Sequence, residues 1–326
     1  MNRIIELDFF KGIAIILVVS AHFLSSNWIN SVDIHPVYTW IYSFHMPLFV
    51  FISGFLIDHN SCNKEIIVGQ QIMKKLKSLI VPFIVWTYLL SPIFTQSTVI
   101  FSLNEFVNPN ARYWFVYMLF YLCLIYIGCE VLYRKNKFWG TIIFLLICMV
   151  LLSIQLVYPM KVINSVIQYI PIFFYGVVIS KFDNDRKDLF CNVLLRNVFL
   201  VVFVMSSIYY LKFEEAYLNK LMKLLSSFSL SSIVVYCMRE RVISSFNENK
   251  IIKVFSYIGQ NSIVIYLTHF EFLLLFEPPA ELLNRFTPFW VFIITIILSS
   301  PIISFCLLLG KIMEHFKWVN RFVYGR

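Results

Sequence analysis

Lys11 and His22 are the residues whose types and spacing first suggest chemistry. They lie eleven residues apart in an apolar stretch, Ile4 to Leu24, which is long enough to cross a bilayer as a helix. Eleven residues make about three helical turns, so both side chains fall on one face, about 16 Å apart along the axis. Asp8 precedes Lys11 by one turn. Because ionisable groups at membrane depth usually face a protein interior or a cavity, this face is predicted to belong to a site.

Two further histidines, His45 and His269, also fall in apolar stretches. If the chain begins in the cytoplasm, both of them and His22 are predicted to lie in the outer half of the bilayer. An imidazole has an ordinary pKa of about 6.5, which suits proton removal at neutral pH. Packing is the alternative for each, since membrane histidines commonly hydrogen-bond between helices.

A polar face is also predicted on the helix that carries His269. Ser262, Tyr266 and His269 are spaced four and three residues apart, so they share one helix face, which is expected to point into the bundle. Glu271 falls off that face near the outer rim, where it is expected to orient a histidine of a neighbouring helix.

The remaining candidates lie at the membrane boundaries. Lys74, Lys75 and Lys77 precede the third apolar stretch and suit a phosphate clamp for a polyanionic cytosolic donor. Ordinary cytoplasmic charge with anionic lipid contacts is the alternative. At the outer boundary, Arg112 and Trp114 are candidates for binding an acceptor. An interfacial anchor is the alternative for Trp114, and an anionic headgroup is an alternative ligand for Arg112.

Composition determines which elements must position these residues. Of the 326 residues, 60% are hydrophobic and 14% charged, against about 25% charged in soluble domains. The chain is therefore predicted to be an all-α, polytopic membrane bundle. Ten stretches are long enough to span, and the eighth is the least apolar because it contains Lys220 and Lys223. The predicted spans are 9–26, 37–57, 79–98, 113–133, 138–157, 162–180, 193–211, 218–238, 256–276 and 289–310.

The distribution of basic residues predicts the topology. With the N-terminus in the cytoplasm, 21 of the 27 Lys and Arg residues fall in cytoplasmic segments and 6 in outer ones. This bias follows the positive-inside rule and favours ten spans with both termini in the cytoplasm. The connections are short, so residues 1–326 are expected to form a single transmembrane domain without an appended soluble domain.

Several classes of site are not expected. The seven cysteines are scattered, mostly within apolar runs and without a CxxC or Cys/His ligand spacing, which favours buried free thiols over disulfides or a metal site. The chain has no G-x-S-x-G, Walker, G-x-G-x-x-G or HExxH motif. We therefore expect no metal, no tightly bound cofactor and no nucleic-acid partner.

Five stretches together resemble one family, the membrane acyltransferase family three, whose members modify bacterial surface polysaccharides. They are DFFKG from Asp8 with His22 downstream, FHMPLFVFISGFL around His45, the basic run before Pro82, the YWF beginning at Tyr113, and IGQNSIVIYLTH ending at His269. The FHMP stretch is most similar to the branch that includes fucose 4-O-acetylase-type proteins.

The resemblance implies ten membrane helices in the bacterial cytoplasmic (inner) membrane. It also implies acyl transfer, acetyl by default, from cytosolic acyl-CoA to a sugar hydroxyl of a glycan. By position, His22 matches the family's essential histidine and Lys11 its basic partner. Most members have arginine at the latter position. A lysine lacks the bidentate fork of arginine, so a simple charge contact with the donor is expected instead.

A mechanism follows from the resemblance and the residues together. The nucleotide end of acyl-CoA is expected at the cytoplasmic mouth, near Lys11 and the three lysines before the third span, with Asp8 holding Lys11 or assisting there. His22 is expected to act as general base, or else to carry the acyl group briefly. His45 and His269 are expected to orient the acceptor or to stabilise the oxyanion.

Two other classes remain open on the sequence. A transporter or flippase for a lipid-linked glycan also suits ten spans, internal histidines and a basic cytosolic face. Against it, the chain shows no two-fold repeat of hydropathy, which many transporters have. A regulatory or assembly subunit of a polysaccharide export complex, with histidines that only pack, is the third class.

Overall fold

The fold is helical throughout the part of the chain that the structure describes. The computed structural model describes residues 4–27, 36–59, 68–90, 92–93, 113–182, 192–210, 216–246, 249–273 and 286–326. All regular secondary structure in these ranges is helical. Eight helical stretches there are long and apolar enough to cross a membrane, and one of them, Pro36–His59, comprises two helices. The predicted all-α, polytopic class is confirmed, whereas the count of ten and the sidedness of the termini stay predictions.

The helices, in chain order, are α1 (Ile5–Asn27), α2 (Pro36–Tyr42), α3 (His45–His59), α4 (Val68–Lys75), α5 (Val81–Ile84), α6 (Trp114–Lys135), α7 (Lys137–Val157), α8 (Lys161–Lys181), α9 (Val193–Tyr210), α10 (Ala216–Arg239), α11 (Lys250–Gln260), α12 (Ser262–Leu273), α13 (Pro288–Glu314) and α14 (Lys317–Tyr324). Two π-helical segments, Leu76–Ile80 and Val85–Leu90, flank α5, and a 3-10 turn, Ser244–Phe246, follows α10.

Three predicted spans are not single α-helices. The second is divided by a turn before His45, so Pro47 falls in the first turn of α3. N–H groups in the first turn of a helix have no intrahelical partner, so a proline there removes no hydrogen bond of the helix. The third includes the end of the first π-helical segment, the short helix α5 with Pro82, and the second π-helical segment. The ninth is divided at Asn261, whose side-chain amide donates to the Tyr257 carbonyl at 3.0 Å and competes with regular helix hydrogen bonding.

The described residues belong to two compact units, and the first comprises Met1–Ser53 and Val178–Ile312. In this unit α1 packs against α2, α10, α11 and α12. Its contact with α11 is backbone to backbone, because a Cβ on Gly12 would overlap the Phe255 carbonyl and one on Gly259 would overlap the Asp8 carbonyl. Small residues permit this close approach in membrane bundles. The two glycines therefore fix how α11 and the following α12 lie along α1.

The second unit comprises Gly54–Val177 and Met313–Arg326. Gly54 lies directly against the Phe173 carbonyl of α8, where a Cβ would not fit. At the chain's C-terminal end, Trp86 Nε1 donates to the Val323 carbonyl at 2.9 Å. Tyr324 is 1% exposed, so α14 is anchored on the π-helical part of this unit.

Candidate active site

Helix α1 holds the first two candidate groups on one of its faces. It is continuous from Ile5 to Asn27, so Lys11 and His22 point in nearly the same direction three turns apart. Asp8 Oδ1 lies 2.9 Å from Lys11 Nζ. Since Asp8 is buried and Lys11 is half-buried, this pair offsets part of the lysine charge inside the first unit.

His22 and His269 come together at the other end of this face. Their ring centroids are 5.3 Å apart. Phe270 packs against both rings, at 4.5 Å from His22 and 4.4 Å from His269. His269 is fully buried, whereas His22 remains partly exposed. His22 is therefore the imidazole that a substrate can reach more readily.

His45 joins this group through Tyr42. The Tyr42 ring lies 4.8 Å from that of His45 and 6.3 Å from that of His22. The turn before α3 places His45 at the helix start, where its side chain is 1% exposed. His22 is also within electrostatic range of both other histidines. The structure thus gathers the three histidines from α1, α3 and α12 into one cluster, which we call the histidine cluster.

The hydrogen bonds of His45 and His269 define their tautomers. His45 Nδ1 lies 2.6 Å from the Ile41 carbonyl oxygen, and His269 Nδ1 lies 2.9 Å from that of Ile265. A carbonyl oxygen only accepts, so each Nδ1 carries the hydrogen and each Nε2 presents its lone pair. The Nε2 of His269 is buried and has no hydrogen-bond partner within the described ranges.

This tautomer limits what the two neutral imidazoles can do. Through Nε2 they accept a hydrogen bond, for example from a hydroxyl, and they have no second N–H to give to an anion. Of the two roles expected for His45 and His269, the geometry favours orienting an acceptor over stabilising an oxyanion.

The other candidates on α12 are largely buried. The rings of Tyr266 and His269 are 6.0 Å apart, and Tyr266 is 6% exposed. Glu271, which sequence reasoning placed near the outer rim, is 3% exposed. Ser262 begins α12 and is half-buried. All three residues of the predicted polar face lie on α12, a short helix that the division at Asn261 separates from α11.

The three lysines in the second unit differ from one another. Lys74 and Lys77 are exposed, while Lys75 is half-buried and lies near the thiol of Cys123 on α6. Lys75 is therefore engaged within its own unit. Lys74 and Lys77 are the more accessible of the three to an anionic ligand.

Of the two outer-boundary candidates, Trp114 and Arg112, the structure describes only Trp114. The Trp114 ring packs against Tyr169 of α8 with centroids 5.9 Å apart, a contact that suits packing as well as binding. Arg112 lies outside the described residues, and its role stays a prediction.

Sequence reasoning missed Tyr42 and Phe270, which fill the space between the histidines. Tyr42 precedes His45 by three residues and Phe270 follows His269 directly, so their proximity to a candidate histidine was the available signal. Within the described ranges, no group of three His, Cys, Asp or Glu side chains is arranged to hold a metal ion. The histidine cluster is among the groups that lack this arrangement.

Comparisons with known proteins agree with the resemblance. A family model described as "Acyltransferase domain" matches residues 4–309. Nodulation protein NolL of Mesorhizobium japonicum is 29% identical over 149 residues, which cover 42% of this chain and 39% of that protein. Nodulation protein NolL of Sinorhizobium fredii is 35% identical over 127 residues, covering 36% and 34%. The matches thus span less than two fifths of either relative's length.

Proposed function

This chain belongs to acyltransferase family three and is a multi-pass membrane acyltransferase, and we propose that it moves an acyl group, acetyl by default, from cytosolic acyl-CoA to a sugar hydroxyl. The acceptor is a surface polysaccharide or its lipid-linked precursor, and the membrane is the bacterial cytoplasmic membrane. The observation that carries this proposal is the histidine cluster on the same unit as the Lys11–Asp8 pair.

The donor approaches from the Lys11 end of α1. Acyl-CoA carries phosphates that lipid excludes, so its nucleotide part stays at the cytoplasmic boundary while its pantetheine arm follows the membrane interior. Lys11 gives the phosphates a charge contact, and Asp8 fixes the direction of the lysine side chain through the 2.9 Å ion pair. The exposed Lys74 and Lys77 are further candidates for phosphate contacts.

His22 performs the proton transfer. Its imidazole removes the proton from the acceptor hydroxyl as the oxygen attacks the thioester carbonyl, and then returns a proton to the departing thiolate. Its partial exposure supports this role, because a general base must come within hydrogen-bond reach of the substrate. A brief acyl-imidazole on His22 is the alternative course of the same reaction.

His45 and His269 hold the acceptor. Each presents an Nε2 lone pair while its Nδ1–H is bound to the backbone, so each suits a sugar hydroxyl as hydrogen-bond donor. Correct orientation of the attacking hydroxyl lowers the entropic part of the barrier. Arg112, Trp114, Ser262, Tyr266 and Glu271 remain candidate acceptor contacts.

The test is complementation of cells that lack the gene. Wild type, His22→Ala and the control His315→Ala are expressed at matched membrane levels, and ester-linked acetyl on the surface polysaccharide is measured. His315 is exposed and lies between α13 and α14. We expect wild type and His315→Ala to restore acetylation and His22→Ala not to.

Two outcomes contradict the proposal. Full restoration by His22→Ala would remove that residue from the mechanism. A change in glycan export without any change in acylation would indicate a transporter. Radiolabelled acyl-CoA gives an independent check, because only an acyltransferase passes the label to a glycan.

A further inference from the structure

Lys223 lies on α10 among apolar and hydroxyl-bearing residues, in a helix long enough to span the membrane. It is half-buried, whereas Lys220, one turn earlier, is exposed. A charged residue in a membrane helix usually faces a protein interior or a cavity and serves a pathway or a site. The difference in exposure between the two lysines indicates that only Lys223 is turned inward.

The packing of α10 gives the direction in which Lys223 points. Leu230 packs against the core cluster of the first unit, which includes Ile41 and Phe44. Seven residues make nearly two helical turns, so Lys223 and Leu230 share a face of α10. This face is therefore turned towards the segment that carries His45. Lys223 is within electrostatic range of His45, in agreement with this direction.

The histidine cluster lacks one function that acyl transfer requires. Attack on a thioester places a negative charge on the carbonyl oxygen, and this oxyanion needs hydrogen-bond donors in position before the reaction. His45 and His269 have given their N–H groups to backbone carbonyls. His22 is engaged with the proton of the attacking hydroxyl. A lysine ammonium carries three N–H donors and a full positive charge, so one N–H can contact an oxyanion while another is engaged within the protein.

We propose that the ammonium group of Lys223 binds the oxyanion of the tetrahedral intermediate. The inference rests on the proposed function and assigns a further catalytic residue to the same site. The acceptor oxygen forms a bond to the thioester carbon, the carbonyl π electrons move to oxygen beside Lys223, and the hydroxyl proton moves to His22. The carbonyl then re-forms, the carbon–sulfur bond breaks, and the thiolate takes the proton from His22.

The experiment uses membrane vesicles from gene-deleted source cells that carry wild type, Lys223→Met, Lys223→Arg or Lys220→Met. Acetyl-CoA labelled in the acetyl group is supplied at the cytoplasmic face, and both label in glycan and released CoA thiol are measured per amount of protein in the membrane. Loss of one oxyanion donor typically lowers kcat about 10²–10³-fold. We expect that loss for Lys223→Met, with the KM for acetyl-CoA unchanged.

The other variants separate this role from a structural one. Lys223→Arg keeps the charge and the donors, so it is expected to restore the greater part of kcat, and Lys220→Met is expected to match wild type. Wild-type kcat in Lys223→Met, or a change confined to KM, would overturn the inference while the proposed function stands. An absence of label transfer by wild type itself would overturn the proposed function and this inference with it.

Discussion

His22 and His269 face each other with ring centroids 5.3 Å apart, one partly exposed and the other fully buried. The contact joins α1 to α12, and the glycine crossing of α1 with α11 determines the level at which the two helices meet. The two imidazoles of this contact therefore differ in how readily a substrate can reach them. This difference supports distinct roles for them in one reaction.

The tautomer of His269 predicts that glutamine is a better replacement than asparagine. The side-chain oxygen of Gln reaches the position of Nε2 and can accept a hydrogen bond from the sugar hydroxyl. The shorter Asn side chain reaches only the position of Nδ1. A neutral hydrogen bond contributes about 1 kcal/mol, so we expect His269→Gln to transfer about fivefold faster than His269→Asn. Initial rates of label transfer in vesicles measure this. Equal rates, or the reverse order, would show that Nε2 does not contact the substrate.

Removal of the Lys11 charge is predicted to weaken donor binding. A hydrogen bond to a charged group contributes about 1.5–3 kcal/mol, so the KM for acetyl-CoA is expected to rise about 10- to 100-fold in Lys11→Met. Lys11→Arg is expected to keep or lower the KM, because arginine adds a bidentate fork. The exposed Lys250 at the start of α11 provides the control Lys250→Met. An unchanged KM in Lys11→Met would exclude this lysine from the donor site.

The crossing of α1 and α11 is predicted to be intolerant of any side chain. In Gly259→Ala the new methyl group would overlap the Asp8 carbonyl, so the two helices must move apart. Overpacking of this kind typically costs about 1–3 kcal/mol, and the displacement also carries α12 and His269 away from His22. The melting temperature of the detergent-solubilised protein and its transfer rate are both expected to fall.

Gly69→Ala is the matched control for that crossing. Gly69 lies in α4 with open space where a Cβ would be placed, so its alanine variant is expected to melt at or above the wild-type temperature. Should Gly259→Ala melt and transfer like Gly69→Ala, the backbone contact would not determine the position of α12.

Gly325 is predicted to allow the end of α14 to pack closely against the rest of the second unit. Its φ is +69°, which a residue with a Cβ adopts at a cost of roughly 1–2 kcal/mol, and a Cβ would lie 2.6 Å from Ser78 Cα. Gly325→Ala is therefore expected to speed amide hydrogen exchange across α14. Gly128→Ala on α6, where a Cβ meets open space, is the control. Equal protection of α14 in both variants would contradict this role.

Local hydropathy and helix periodicity determined the fold class and most of the helix positions of this protein. They predicted the all-α membrane class, the approximate bounds of α1, α6 to α10 and α13, and the shared face of Lys11 and His22. These features depend on residues that are close in sequence, within a few helical turns of one another. The division of the ninth span was not predicted, because it depends on how the Asn261 side chain competes for a backbone carbonyl.

The tertiary structure alone decided which candidates meet. A membrane helix is apolar on nearly every side, so its sequence does not show which face contacts which neighbour. Packing brought His22, His45 and His269 together, fixed the Nδ1 hydrogens on two of them, and turned Lys223 inward while Lys220 stayed exposed. The sequence determined the helices and their candidate groups, and the close approach of backbones at Gly12 and Gly259 helped determine how those groups are arranged in the first unit.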